Sequence, residues 1–297
     1  MTPNPDTDEA RTSPEQRLLD TVLASFDRTP DERLRTVLTT LVRHLHAVVR
    51  ETRLTEAEWQ HAIAFLTRTG QASDDRRQEF ILLSDVLGVS MQTVVVNDDA
   101  TGGATEATVL GPFFVADAPA VQLGGDIAAG APGEPCWVEG RITGTDGRPL
   151  AGARVEVWEA DDDGFYDVQY ADGRTAARAR LETDTDGHYR FWALTPTPYP
   201  IPADGPVGDL LAATGRTPMR APHLHFRVGH PEARTLTTHA FVAGDGLAVD
   251  SVFGLRDSLV VDFARAPRDA PTPDGRIVDS PTWTRARFDI VLTSNVT

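Results

Sequence analysis

The chain has 297 residues, 40% of them apolar, which is enough for one large domain or two ordinary ones and excludes wholesale disorder. Its 28 basic residues, all arginine, face 44 acidic ones, and the resulting formal charge of −16 repels phosphate backbones and speaks against a nucleic-acid partner. A lone cysteine, Cys136, excludes an intrachain disulfide framework and a thiolate-rich metal site. No apolar run approaches the roughly 18 residues of a membrane helix and no secretory block opens the chain, so a reduced, cytoplasmic protein without membrane insertion is expected.

Residues 1–13 lack periodicity and read as a flexible tail. From 14 to about 95 the pattern is helical. PEQRLLDTVLASF fits a first helix, and Leu34, Val37, Leu38, Leu41, Val42 and Leu45 recur at three- and four-residue steps as one apolar stripe. Thr55 with Glu58 forms a capping box for the next helix, which carries Trp59, Ala62, Ile63 and Leu66 and closes at Gly70. A further helix is expected from Asp74 to Leu87 with Phe80, Leu83 and Leu87 inward. The Gly-, Ala- and Pro-rich stretch 96–135 reads as a linker lying on a neighbouring surface.

From 137 onward the period changes to two. WVEGRITG, ARVEVWEAD, GHYRFWAL, HLHFRVG, TLTTHAFVAG, DSLVVDFA and RARFDIVLT alternate between Gly, Asp and Pro turns, the pattern of a β-sandwich. The expected fold is therefore α+β: a helical N-terminal domain with its linker at 14–105, then a mainly β-sandwich domain at 106–297.

Within the sandwich, Arg220-Ala-Pro-His223-Leu-His225-Phe226 is the sharpest feature. On a strand, His223 and His225 share one face about 7 Å apart, while Leu224, Phe226 and Val228 take the other. Both imidazoles can reach one metal ion, although an isolated H-x-H is equally at home on a half-exposed strand. Of the four tyrosines, Tyr189 sits inside a regular strand. Tyr166 follows the acidic turn DDDGF, and Tyr199 lies in the rigid loop TPYPIP, where a scaffold presents functional side chains. Phenolate ligands need a strongly Lewis-acidic cation, since free phenol has a pKa of roughly 10. Two phenolates beside two imidazoles favour Fe(III) over Zn(II).

LGPFF (110–114), GRPLAGARVEVWEADDDGFYD (147–167), TDTDGHYRFWALTPTPYPIP (183–202) and RAPHLHFRV (220–228) resemble the intradiol ring-cleavage dioxygenases, in order, from about Glu58 to Leu259. RQEFILLSDVLGVSM (77–91) resembles the helical domain of the catechol and hydroxyquinol 1,2-dioxygenases, and VFGLRDSLVVDF (252–263) leans toward the hydroxyquinol branch. The resemblance implies a non-haem Fe(III) held by Tyr166, Tyr199, His223 and His225. Tyr199 is then the phenolate that leaves when substrate chelates, and Arg220 the active-site arginine. His239 stands where the family often carries glutamine. It implies a pocket walled by Leu82, Asp85, Val109, Leu110, Gly111, Ile201, Pro202 and Val252. It also implies a small aromatic diol and O2 as substrates, and a homodimer through the helical domain, with a phospholipid bound between the helices in some members. Asp85 lies in the otherwise apolar ILLSDVLG and is costly to bury unpaired. It can accept a hydrogen bond from a third ring hydroxyl, which favours hydroxyquinol (1,2,4-trihydroxybenzene), giving 3-hydroxy-cis,cis-muconate or maleylacetate, over catechol giving cis,cis-muconate. A reading of another class also fits the repeated DG turns: a non-enzymatic, prealbumin-like β-sandwich binding module.

Overall fold

The structure is a computed structural model and describes residues 13–74, 77–98 and 102–295. The tail read at 1–13 lies outside these residues except for Ser13. The chain divides into two compact units at Thr67/Arg68.

In the first unit, α1 (Pro14–Ala24) starts at Ser13, whose hydroxyl accepts from the Gln16 amide, and Pro14 occupies the first turn, where its missing N–H costs nothing. α2 (Glu32–Thr52) is capped by Asp31 and stopped by Arg53 in the left-handed region. The stripe Leu34, Val37, Leu41 and Leu45 lies along α2 as expected, but remains 44–55% exposed. α3 (Glu56–Gln71) opens with the expected reciprocal cap: the Thr55 amide donates to Glu58 and the Glu58 amide to the Thr55 hydroxyl. It ends at Gln71, one residue past the expected Gly70.

The second unit begins with two short helices, α4 (Glu79–Val86) and α5 (Val89–Asn97), divided by left-handed Gly88. The helix expected over Asp74–Leu87 is shorter and turned in phase. Asp74 Oδ1 accepts from the Arg77 amide, and winding starts only after Gln78. Glu79, Leu82, Asp85 and Val86 are buried, while Phe80 and Leu87 face outward. Buried Glu79 displaces the apolar phase because it accepts from the Val207 amide at the start of α6 (Pro206–Ala213) and from Arg77 Nε. Among the described residues no single helix is long and apolar enough to cross a membrane; α4 and α5 meet that measure only as a pair bent by 73°.

The strands are β1 (Pro135–Gly144), β2 (Arg154–Trp158), β3 (Arg178–Glu182), β4 (His188–Leu194), β5 (Tyr199–Pro200), β6 (Met219–Arg220), β7 (His223–His230), β8 (Ala233–Val242), β9 (Val260–Val261), β10 (Phe263–Pro267), β11 (Thr282–Arg287) and β12 (Ile290–Leu292). One sheet runs β10-β11-β1-β12 with β4 also on β1, the other β3-β2-β7-β8-β9, and β5 and β6 form a separate two-stranded pair among the described residues. Their inner faces share one core, in which Val155, Val157, Leu224, Phe226 and Val228 meet Tyr189, Phe191 and Ile290. The alternation read along β7 thus places Leu224, Phe226 and Val228 inward and leaves the histidines on the opposite face. Gly140 is required here: a Cβ would sit on the Phe288 carbonyl, where the Tyr189 hydroxyl donates its hydrogen bond. Of the linker read at 96–135, Val96 and Asn97 end α5, Pro135 opens β1, and 102–134 is irregular and lies on the sandwich, with the Val121 amide bonded to the Arg180 carbonyl of β3 and the Ile127 amide to the Trp192 carbonyl of β4.

Candidate metal centre and active site

The site is assembled on one rung of the second sheet. Trp158 on β2, His225 on β7 and His239 on β8 are successive cross-strand partners. The Trp158 ring stacks on His225 at 4.6 Å and 15°. The Asp161–Asp162–Asp163–Gly164 turn then delivers Tyr166. Asp161 Oδ1 accepts from the amides of Asp163 and Phe165, and Gly164, at φ 82°, lets the turn pass where a Cβ would stand 3.1 Å from the Tyr199 Cβ. The LGPFF loop covers both rings: Phe113 stacks on Tyr166 at 4.6 Å, Phe114 meets the Trp158 edge, and Gly111 approaches His225 so closely that a Cβ would lie 3.4 Å from its Cε1.

Four donor atoms converge. Tyr166 Oη lies 2.8 Å from both Tyr199 Oη and His225 Nε2, His223 Nε2 lies 3.0 Å from His225 Nε2, and Tyr199 Oη is 3.5 Å from His223 Nε2. All four side chains are buried. Such separations match the edges, about 3 Å, of a coordination shell with bonds of about 2 Å.

The hydrogen-bond pattern assigns the tautomer of His223. A carbonyl only accepts, so His223 Nδ1, 2.6 Å from the Ala221 carbonyl, carries its proton and leaves Nε2 as a bare lone pair. His225 Nδ1 lies 2.7 Å from His239 Nε2, and donation in that direction bares His225 Nε2 as well. Two lone pairs 3.0 Å apart repel unless a cation lies between them. The residues present therefore fit a metal ion.

Electrostatics agree. Burial, reinforced by the Arg220 charge, pushes His223 down to about 3. Burial and the neighbouring imidazoles hold His225 and His239 well below the usual histidine range. Burial raises both phenols, but Tyr166 also feels Tyr199, whereas the Arg220 guanidinium eases the ionisation of Tyr199. Burial opposes the Arg220 charge, yet Tyr199 and Asp250 outweigh it and keep the guanidinium protonated.

The expected pocket is largely brought together. Leu82, Val109, Ile201 and Val252 join Val86, Met91, Val207 and Leu211 in one apolar cluster. Asp85 is buried on the inner face of α4, and burial raises its carboxyl while Ser90 and Arg220 pull it back. Leu110, by contrast, is substantially exposed. A cavity of about 1020 Å³ shares Leu82, Ile201 and Pro202 with this wall and reaches Phe113 and Phe165, though none of the four donor residues lines it. His239 Nε2 faces His225 Nδ1, on the side of that ring away from Nε2, and its own Nδ1 has no partner among the described residues; the three histidines bring ligand atoms within 4.8 Å of one another.

Sequence reasoning missed Asp250, which accepts from Arg220 Nε at 2.8 Å, as well as the stacking partners Trp158 and Phe113. Nothing in VDSVFG marks the aspartate. For Trp158, the position directly opposite His225 was the available signal, but it needs the strand register.

Residues 109–294 match the family described as "Dioxygenase" and residues 31–105 that described as "Catechol dioxygenase N terminus". The hydroxyquinol 1,2-dioxygenase of Nocardioides simplex is 66% identical over 94% of this chain and 95% of its own, and that of Rhodococcus opacus 60% identical over 98% of each. The crystal structure of hydroxyquinol 1,2-dioxygenase from Pseudomonas putida DLL-E4 superimposes with a TM-score of 0.86 at 40% identity, covering 95% of this chain and 99% of that one. The binding-module reading accounts neither for these matches nor for four buried donors meeting at one point. By both family matches and the identity of its relatives, the chain belongs to the intradiol ring-cleavage dioxygenases.

Proposed function

We propose that this chain is a hydroxyquinol 1,2-dioxygenase. It opens 1,2,4-trihydroxybenzene between its two adjacent hydroxyl-bearing carbons with O2, placing one oxygen atom in each new carboxylate of 3-hydroxy-cis,cis-muconate. The observation that carries the chemistry is the convergence of Tyr166, Tyr199, His223 and His225. The relatives named above support the substrate.

Those four residues would hold a ferric, non-haem iron, which when bound supplies a Lewis-acidic centre for the diolate and for its reaction with O2. The chain's own residues do the rest. Tyr199 Oη, whose negative charge the neighbouring guanidinium favours, takes one substrate proton. Arg220 Nη2 is buried with no hydrogen-bond partner among the described residues and donates to the oxygen where negative charge builds up on the ring. His239 holds His225 in the tautomer that frees Nε2. Leu82, Val109, Ile201 and Val252 exclude water and grip the ring faces. Asp85, buried on the inner face of α4, accepts the third hydroxyl.

The half-open apolar stripe of α2, with exposed Trp59, Ile63 and Leu66 of α3, supports a homodimer through the helical region.

The deciding experiment is oxygen uptake by the iron-loaded protein with hydroxyquinol, catechol and protocatechuate side by side. Hydroxyquinol is expected to give the highest kcat/KM. A preference for catechol overturns the substrate, and no uptake with any of them overturns the reaction.

A further inference from the structure

One carboxylate holds two parts of the pocket at once. Asp250 Oδ1 accepts from Arg220 Nε at 2.8 Å, and its Oδ2 accepts from the amides of Gly254 at 2.7 Å and Leu255 at 3.1 Å. Both side chains of the ion pair are sealed from solvent, 4% exposed for Arg220 and 3% for Asp250. The turn that Asp250 closes carries Val252 into the apolar wall of the pocket. Its next residue, Phe253, is held at φ 61°, a region that a bulky L residue avoids and keeps only where its surroundings over-determine it. Further ties secure the turn: the Ser251 amide donates to the Met219 carbonyl, Arg216 Nη2 to the Ser251 carbonyl, and the Arg216 guanidinium lies 5.2 Å from the Phe253 ring centroid.

Gly254 completes the arrangement. A Cβ there would stand 3.5 Å from Arg220 Nη2 and 3.8 Å from His239 Nδ1, and both nitrogens are buried with no hydrogen-bond partner among the described residues. The turn therefore passes beside the two donors that the pocket leaves free. Arginine has a long stem and many rotamers. Fixing Nε is what sets the direction of Nη2, and displacement of a catalytic donor by about 1 Å is expensive in rate.

We propose that Asp250 is a positioning residue for ring cleavage: the same carboxylate aims Arg220 at the substrate and holds the strained turn that presents Val252. This rests on the intradiol reading above. The two halves of the task separate by substitution. Asp250→Asn keeps an oxygen for the backbone amides of the turn but presents an uncharged group to Arg220. Asp250→Ala removes both contacts.

The test is steady-state oxygen uptake with hydroxyquinol on iron-loaded wild type, Asp250→Asn, Asp250→Ala, Arg220→Gln and the Asp250→Asn/Arg220→Gln double variant. Thermal melts and iron content are read on each. For Asp250→Asn, kcat falls about 30- to 100-fold with KM within about threefold of wild type. For Asp250→Ala, KM rises about tenfold in addition. In the Arg220→Gln background Asp250→Asn changes kcat by less than about twofold, because the carboxylate acts through the guanidinium. A merely structural role would lower both variants alike, and its loss would multiply with that of Arg220→Gln. That multiplication, or folded Asp250→Asn with wild-type kcat, overturns the proposal. Should Asp250→Asn not fold, Asp250→Glu replaces it, since the charge on a longer arm must show the same loss, abolished by Arg220→Gln; wild-type kcat there counts against the proposal. Absence of turnover by wild type with hydroxyquinol, catechol and protocatechuate alike is a different result: it ends the functional reading on which Asp250's role depends.

Discussion

Tyr199 and Arg220 are direct partners in a two-residue antiparallel ladder that belongs to neither face of the sandwich. On the proposed mechanism, the phenol that yields to substrate and the cation that meets the developing charge are thus fixed to one another by backbone hydrogen bonds before any ligand enters. Arg220→Gln is expected to lower kcat by about 10²- to 10³-fold, the usual loss for one preorganised donor. Iron content should be unchanged. Arg220→Lys should recover little, because a lysine ammonium cannot reproduce the Nε contact to Asp250 while facing the ring. Kinetics and metal analysis on the same preparations separate these outcomes.

The iron-loaded protein should be red-brown, from charge transfer between phenolate and metal. Stripping it with a ferric chelator should abolish colour and oxygen uptake together, and ferric iron, but not zinc, should restore both. Tyr166→Phe should lose most of the visible band, since Tyr166 Oη is the donor closest to both Tyr199 Oη and His225 Nε2. An undiminished spectrum in that variant would place the chromophore elsewhere.

Asp85 gives two expectations of opposite sign. Asp85→Leu should lower kcat/KM for hydroxyquinol at least about tenfold more than for catechol, in line with a lost hydrogen bond to a charged acceptor. In metal-free protein, however, Asp85 costs stability. Burial raises its carboxyl above the ordinary value of 3.8. The folded state therefore holds the proton more tightly than the unfolded state does, and stability is lost as pH rises from that value through the folded one. Asp85→Asn should unfold at higher urea than wild type at pH 7.5, and the gap should close toward pH 4.

His239→Leu removes the acceptor for His225 Nδ1 and should weaken iron binding about 10- to 100-fold, the range for losing such an outer partner. His239→Gln, whose amide oxygen can accept the same proton, should retain most of it. Competition with a ferric chelator reads the difference directly, without turnover.

The α2 stripe offers a separate check. Leu41→Glu, at a position already half exposed, should leave the fold intact and convert a dimer to monomer in sedimentation. Wild type that sediments as a monomer at every concentration removes the dimer reading.

Much of this site was legible in the sequence because its parts sit on regular elements or in punctuated turns. The period of two on β7 put His223 and His225 on one face, and the DDDG turn and the proline-rich loop flagged Tyr166 and Tyr199. Short elements were not legible. β5, β6 and β9 have two residues each, too few to alternate, and β3 alternates over only five, with just Ala179 and Leu181 buried. The phase of α4 was misread because Glu79 is buried by bonds to residues far along the chain, and periodicity treats every glutamate as solvent-facing. Asp250 escaped for a similar reason: its meaning lies in Arg220, thirty residues away, and no local pattern encodes the meeting.

The segment at 119–127 has a consequence for behaviour in a crowded solution. β3 and β4 each pair on one side only within their sheets, and a bare strand side invites pairing with another molecule. Ala120 bridges to Arg180 on β3 and Asp126 to Trp192 on β4, so a single irregular stretch occupies part of the open side of both sheets. A proteolytic nick within it would uncover two sticky borders at once, and clipped protein should clump well below the temperature at which intact protein does.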